Sequence, residues 1–141
     1  MNRVGIDVLE TKRMDDYVKR QLPMEKIFTE YEIAYIKKVA KSSSRMAGIF
    51  SAKEAFLKAT GVGVKNGISL LEVEVKHEEN GRPYLNLMGN AKKVLTELKV
   101  KAVDISISHT DNLATAICIL SWFLHILIIT INSSLKWLEF F

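Results

Sequence analysis

Three apolar segments of this chain are each interrupted by polar groups that a folded interior rejects unless something compensates them, so any fold it adopts must supply that compensation. They are Gly5-Ile6-Asp7, then Phe50-Ser51-Ala52-Lys53-Glu54-Ala55-Phe56-Leu57-Lys58-Ala59, and finally Ile105-Ser106-Ile107-Ser108-His109-Thr110. Two carboxylates, two lysines and a histidine anchored on apolar elements suit a metal ion and a polyphosphate. The pattern points to enzyme chemistry.

At 141 residues the chain has room for one hydrophobic core. Charged residues make up 26% and apolar ones 48%, which excludes a disordered or fibrous class. The net charge of +4 favours an anionic partner: nucleic acid, a phosphorylated cofactor or an acidic protein. Aromatic and basic residues are not interleaved on any one segment, which weighs against nucleic acid. The single cysteine, Cys118, excludes a disulfide within the chain, and its apolar surroundings predict a buried, inert thiol. Asp7 follows too soon after Met1 for a secretory signal, so the body of the protein is expected in the cytoplasm. The C-terminal end is different. Residues 112–135 contain no Asp, Glu, Lys or Arg, the stretch 113–131 is long enough to resemble a membrane span, and both tryptophans lie beyond Leu120.

Residues 4–9 read as a buried first strand interrupted by Asp7. Thr29-Glu30-Tyr31-Glu32 has the form of a capping box opening a helix over 29–39. After the basic break Lys41-Ser42-Ser43-Ser44-Arg45, the spacing of Met46, Ile49, Ala52, Phe56 and Ala59 predicts a helix over 45–60, ended by Gly61. Alternation at 71–76 and 84–88 around Asn80-Gly81-Arg82-Pro83 predicts a hairpin. Asn90 caps a short helix to Leu98, residues 103–108 alternate as a strand, and Thr110-Asp111-Asn112 turns the chain into a last strand over 113–120. Helices early and antiparallel strands late give an α+β fold.

On the second helix Glu54 and Lys58 fall opposite the apolar stripe and share an exposed face, where the competing reading is an ordinary solvated i,i+4 pair. Asp7 needs a counter-charge, a hydrogen-bond donor or a cation. With Glu54 it would supply the one or two carboxylates by which proteins hold Mg²⁺ alongside water and phosphate oxygens. Gly61-Val62-Gly63-Val64-Lys65-Asn66-Gly67 looks like a phosphate loop but follows a helix instead of preceding one, so it fits neither the P-loop nor the dinucleotide motif. It still leaves backbone amides near Lys58. His109 ends its strand where the ring can reach a ligand.

Taken together, Gly5-Ile6-Asp7-Val8-Leu9-Glu10 with Arg13, the run from Phe50 to Gly63 around Lys53-Glu54-Ala55, Asn80-Gly81-Arg82-Pro83-Tyr84, and Ile105-Ser106-Ile107-Ser108-His109-Thr110 resemble the holo-acyl-carrier-protein synthases, the short bacterial type of 4′-phosphopantetheinyl transferase. The resemblance covers residues 1–120 in order and leaves residues 121–141 as a hydrophobic extension without a counterpart. It implies an antiparallel sheet packed against helices, and a trimer with active sites between subunits. The implied reaction moves the phosphopantetheine arm of coenzyme A to a serine of an apo acyl carrier protein, releasing adenosine 3′,5′-bisphosphate. By position, Asp7 and Glu54 would hold Mg²⁺, and Lys58 would bind phosphates or assist proton transfer. A metal-bound water, Glu54 and Lys58 all stay open as the base. Lys53, Gly61, Gly63, His109 and Thr110 would approach coenzyme A, while Arg13, Lys19 and Arg20 would meet the acidic helix of the carrier protein. One position departs from the family pattern: Ile49 stands where a basic residue is usual, leaving Lys41 or Arg45 to supply the missing phosphate contact. The alternative reading is a non-catalytic coenzyme A or nucleotide binding module.

Overall fold

The computed structural model describes residues 1–62 and 67–122. Along the chain run β1 (Asn2–Glu10), α1 (Thr11–Lys19), α2 (Glu30–Ile36), α3 (Ser43–Thr60), β2 (Val73–His77), β3 (Pro83–Leu87), α4 (Gly89–Glu97), β4 (Ala102–His109) and β5 (Leu113–Ser121). Short 3₁₀ turns occupy Met24–Lys26 and Leu70–Glu72. The main sheet is antiparallel in the order β1-β5-β4, and β2 pairs with β3 in a separate hairpin. The expected α+β architecture is therefore present. Two elements differ from the sequence reading. Helix α1 was not anticipated, because its polar sequence carries only Thr11 and Met14 into the interior. Helix α2 stops at Ile36, not at 39.

Helix α3 is the axis of the molecule. It lies against β1, β4 and β5 and buries residues around most of its circumference, with Met46, Ala52, Ala55 and Phe56 at zero exposure. Small residues permit this. A Cβ at Gly5 would collide with the Ala55 carbonyl oxygen and the Ala59 nitrogen, and one at Gly48 would press on Ile107. Backbone therefore lies on backbone, and β1 is held hard against the C-terminal half of α3. Gly61, at φ 72°, closes the helix in the left-handed conformation its Cα tolerates.

The strand period of two gives β1 an orientation unlike the buried strand read from its sequence. Gly5, Asp7 and Leu9 face α3, whereas Val4, Ile6 and Val8 stand on the outer face, each more than half exposed. Their register partners on β5 are Ile119, Ile117 and Thr115, so a mostly apolar outer face continues across the two strands. On the inner face Cys118 is fully buried, its thiol pushed up to about 12 by burial and then by Asp104. It is the inert cysteine expected.

The middle of α3 is tied to the rest of the fold by one buried ion pair. Lys53 Nζ lies 2.7 Å from Glu32 Oε2, both side chains have zero exposure, and Lys53 also donates to the carbonyls of Ile27 and Leu70 at 2.8 Å. Glu32 closes the Thr29 capping box, accepting from the Thr29 backbone nitrogen, and its other oxygen accepts from Val75 N at 2.7 Å. Burial pushes the Glu32 carboxyl up and the Lys53 ammonium down, and their mutual attraction opposes both shifts. The predicted α4 cap is also replaced: Asn90 turns its amide to the Gly67 carbonyl, and Glu72 reaches from the 3₁₀ turn to accept from Asn90 N.

Beyond Leu120 the fold continues to Ser121 and then Trp122, whose indole N–H donates to the Leu98 carbonyl at 2.7 Å. Residues 113–121 are thus a sheet strand, and the remainder of the hydrophobic stretch lies outside the described residues. Among those described, no helix is long and apolar enough to cross a membrane.

Removing one partner of a buried, hydrogen-bonded pair strands the other charge. Lys53→Met is expected to cost about 3–5 kcal/mol, read in urea denaturation as a lower midpoint at unchanged slope. A loss under about 1 kcal/mol would show that the pair behaves like a surface contact.

Candidate active site

The close approach at Gly5 sets the position of Asp7. Two residues further along β1, on the same inner face, its carboxylate meets the last turns of α3. Lys58 Nζ lies 2.8 Å from Asp7 Oδ1 and also donates to the Ile6 carbonyl at 3.0 Å. The Asp7 backbone carbonyl is itself fixed, accepting from Thr115 Oγ1 at 2.9 Å. Asp7 is largely enclosed, with 14% of its side chain exposed, whereas Lys58 is 53% exposed.

Glu54, one turn before Lys58, completes the group. Burial pushes its carboxyl up, the Asp7 charge adds to that shift, and Lys58 opposes it. Two carboxylates near one ammonium form a site short of positive charge. The donor set fits a small divalent cation that takes one or two carboxylates and fills its other positions from water and phosphate. No group of three or more candidate metal ligands exists among the described residues, so the protein alone does not form a full cage.

A second feature lies on another side of α3. A pocket of ≈ 220 Å³ is lined by Arg45, Ile49, Tyr35, His77, Pro83 and His109, among others. Arg45 donates to the Tyr35 carbonyl at 2.7 Å and its guanidinium stands 4.1 Å from the Tyr35 ring centre. The same ring stacks on His77 at 4.1 Å. Burial and then Arg45 push His77 down, and its Nδ1 is buried without a hydrogen-bond partner among the described residues. At 100° per residue, Arg45 and Glu54 are nine residues and about half a turn apart around the helix axis. One chain therefore presents the carboxylates and the pocket in different directions.

The remaining predicted residues divide accordingly. Lys53 is corrected: at zero exposure, with Glu32 and two carbonyls on its ammonium, it braces the core and has nothing left for a cofactor. Lys41 is exposed and sits 4.0 Å from Asp111, outside the pocket lining. Arg45 is thus the basic side chain that lines the pocket beside Ile49. Thr110 Oγ1 accepts from Asn112 N and Leu113 N, so it builds the turn that carries His109. Gly61 terminates α3, and Gly63 lies outside the described residues. Arg13 and Arg20 border a groove of ≈ 400 Å³ with Leu9, Met14, Leu22 and Phe50, and Lys19 ends α1 nearby. Sequence reasoning missed Tyr35 and His77. The available signal was a half-buried aromatic near the end of α2 and a histidine ending an alternating strand, neither of which shows a partner until the elements fold together.

Comparison with known proteins places the chain in a family. Residues 3–118 match the 4′-phosphopantetheinyl transferase superfamily. The holo-[acyl-carrier-protein] synthase of Halothermothrix orenii is 38% identical over 115 residues, spanning 80% of this chain and 91% of that protein. That of Geobacter sulfurreducens is 38% identical over 118 residues, with 82% and 94% covered. Among solved structures, the synthase of Neisseria meningitidis superposes with a TM-score of 0.77 at 26% identity, covering 84% of this chain and 97% of that one. The Helicobacter pylori synthase in complex with coenzyme A gives 0.73 at 30% identity, covering 84% and 99%. With the matched region spanning both the carboxylate cluster and the pocket, this chain belongs to the holo-acyl-carrier-protein synthase family of the 4′-phosphopantetheinyl transferase superfamily.

Proposed function

We propose that the protein transfers the 4′-phosphopantetheine arm of coenzyme A to a serine of an apo acyl carrier protein, releasing adenosine 3′,5′-bisphosphate. The observation that carries this reading is the convergence of Asp7, Glu54 and Lys58 at the junction of β1 and α3. Asp7 and Glu54 would hold Mg²⁺, which when bound supplies positive charge against the pyrophosphate of coenzyme A. Lys58 offers an ammonium to the same phosphates. In the geometry seen here its ammonium donates to the Asp7 carboxylate and the Ile6 carbonyl. Glu54 is our candidate for the base: its two oxygens would allow one to hold a cation while the other receives the serine proton.

The pocket beside Arg45 suits the nucleotide end of coenzyme A. Its aromatic stack takes a planar ring, and Arg45 and His109 take phosphate. Because pocket and carboxylates face different ways on α3, one coenzyme is served by two chains. The apolar outer sheet face of Val4, Ile6, Val8 and Ile117 provides the surface for that association, which we place in a homotrimer. The groove rimmed by Arg13 and Arg20 receives the carrier protein, with apolar contacts on its floor and basic charge at its edge to steer an acidic helix. On this reading the enzyme works in the cytoplasm. Residues 1–120 hold the transferase, with the strand end and Trp122 completing it, and the rest is an extension.

Intact-mass analysis of apo acyl carrier protein incubated with this chain, coenzyme A and Mg²⁺ should show a gain of one phosphopantetheine arm, absent with chelator. Asp7→Ala should lower the rate by about 10²-fold or more while the protein stays folded. Coenzyme A binding without any mass gain would instead indicate a binding module.

Co-expression of Asp7→Ala with His109→Ala should recover activity that neither variant shows alone, because hybrid assemblies contain sites with both residues intact. Absence of recovery would confine the site to one chain.

A carboxyl whose folded-state pKa is raised binds protons more readily in the folded protein, so it lowers stability once pH rises above its unfolded value. Glu54→Gln should therefore raise the melting temperature of the metal-free protein at pH 7, and the advantage should shrink as pH falls below the ordinary carboxylate range. A pH-independent difference would assign the effect to packing.

A further inference from the structure

Asp7 is enclosed, its backbone is fixed by Thr115, and the cation paired with it among the described residues is Lys58. Lys58 differs in kind: its side chain is half exposed, and its ammonium holds the Ile6 carbonyl besides Asp7. One partner is therefore fixed and the other can swing. The ammonium occupies an oxygen that a divalent ion needs, and a second cation arriving between Asp7 and Glu54 would repel it.

We propose that Lys58 is the resident counter-ion of the metal site, competing with the divalent cation for Asp7 and leaving that carboxylate when the metal binds. The inference rests on the metal role assigned above to Asp7 and Glu54. In the metal-free protein, Lys58 keeps an enclosed carboxylate from standing uncompensated. When metal takes over that duty, the ammonium is freed at the mouth of the site, on a flexible stem that reaches incoming phosphates. Metal binding and phosphate binding are thereby linked through one side chain, and by reciprocity each favours the other.

The test uses Mn²⁺ alone with the full chain, without coenzyme A, by isothermal titration calorimetry. Lys58→Met should bind Mn²⁺ about tenfold more tightly than the native protein, and Asp7→Asn should bind it more weakly than either. Equal or weaker binding by Lys58→Met, with native binding intact, overturns the competition while leaving the metal site standing. No Mn²⁺ binding by either protein overturns the metal role itself. A second measurement does not depend on the variant folding. Acetylation of Lys58 in the native chain, followed by peptide mass spectrometry, should speed up when Mn²⁺ is added, whereas Lys93, which pairs with Glu97 on α4, should not change. An unchanged or slower rate at Lys58 overturns the proposal.

Discussion

The buried Glu32–Lys53 pair is the contact on which the arrangement of this protein rests. It joins the start of α2, the middle of α3, the Leu70 turn and the Val75 backbone through one carboxylate and one ammonium. A core of alanines, valines and isoleucines accepts small displacements because apolar contacts have no fixed direction. Charges buried together with their hydrogen bonds are not so tolerant. Removing either one alone strands the other and costs about 3–5 kcal/mol against a total stability of about 5–15 kcal/mol, so the elements they join are fixed in register as well as held together.

That register has a functional result. Lys53 and Glu54 are adjacent on α3, so they point about 100° apart. Pinning Lys53 in the core fixes the rotation of the helix and turns Glu54 towards β1. Helix rotation also directs Arg45 and Ile49 to the pocket on the far side. One buried lysine with no chemical role thus orients both groups of residues that have one. It also explains why the pair Lys53-Glu54 reads as a unit in the sequence while its two members do unrelated work.

Much of this was legible beforehand. The α3 stripe, the capping box at Thr29, the hairpin at Asn80-Gly81 and the closing strand pair all emerged with nearly the right bounds, because each depends on local periodicity or turn chemistry. Asp7, Glu54 and Lys58 stood out through their apolar surroundings. What was not legible depends on pairing between distant segments. No pattern in β1 shows which of its faces meets α3, since both carry apolar residues, and only the close contact at Gly5 decides it. Lys53 looked like a ligand because its partner Glu32 lies on another element. The Tyr35 and His77 stack is likewise invisible until α2 meets β2.

The contact at Gly5 bears on how freely this sequence can change. The approach of Asp7 to the last turns of α3 is set where the backbone of β1 rests on that of α3, not by interlocking side chains. Substitutions that repack the surrounding core alter side-chain volumes but have little purchase on that approach. The chemistry of the site is thereby insulated from sequence drift in the rest of the interior, and the insulation hangs on a single residue that has no side chain to vary.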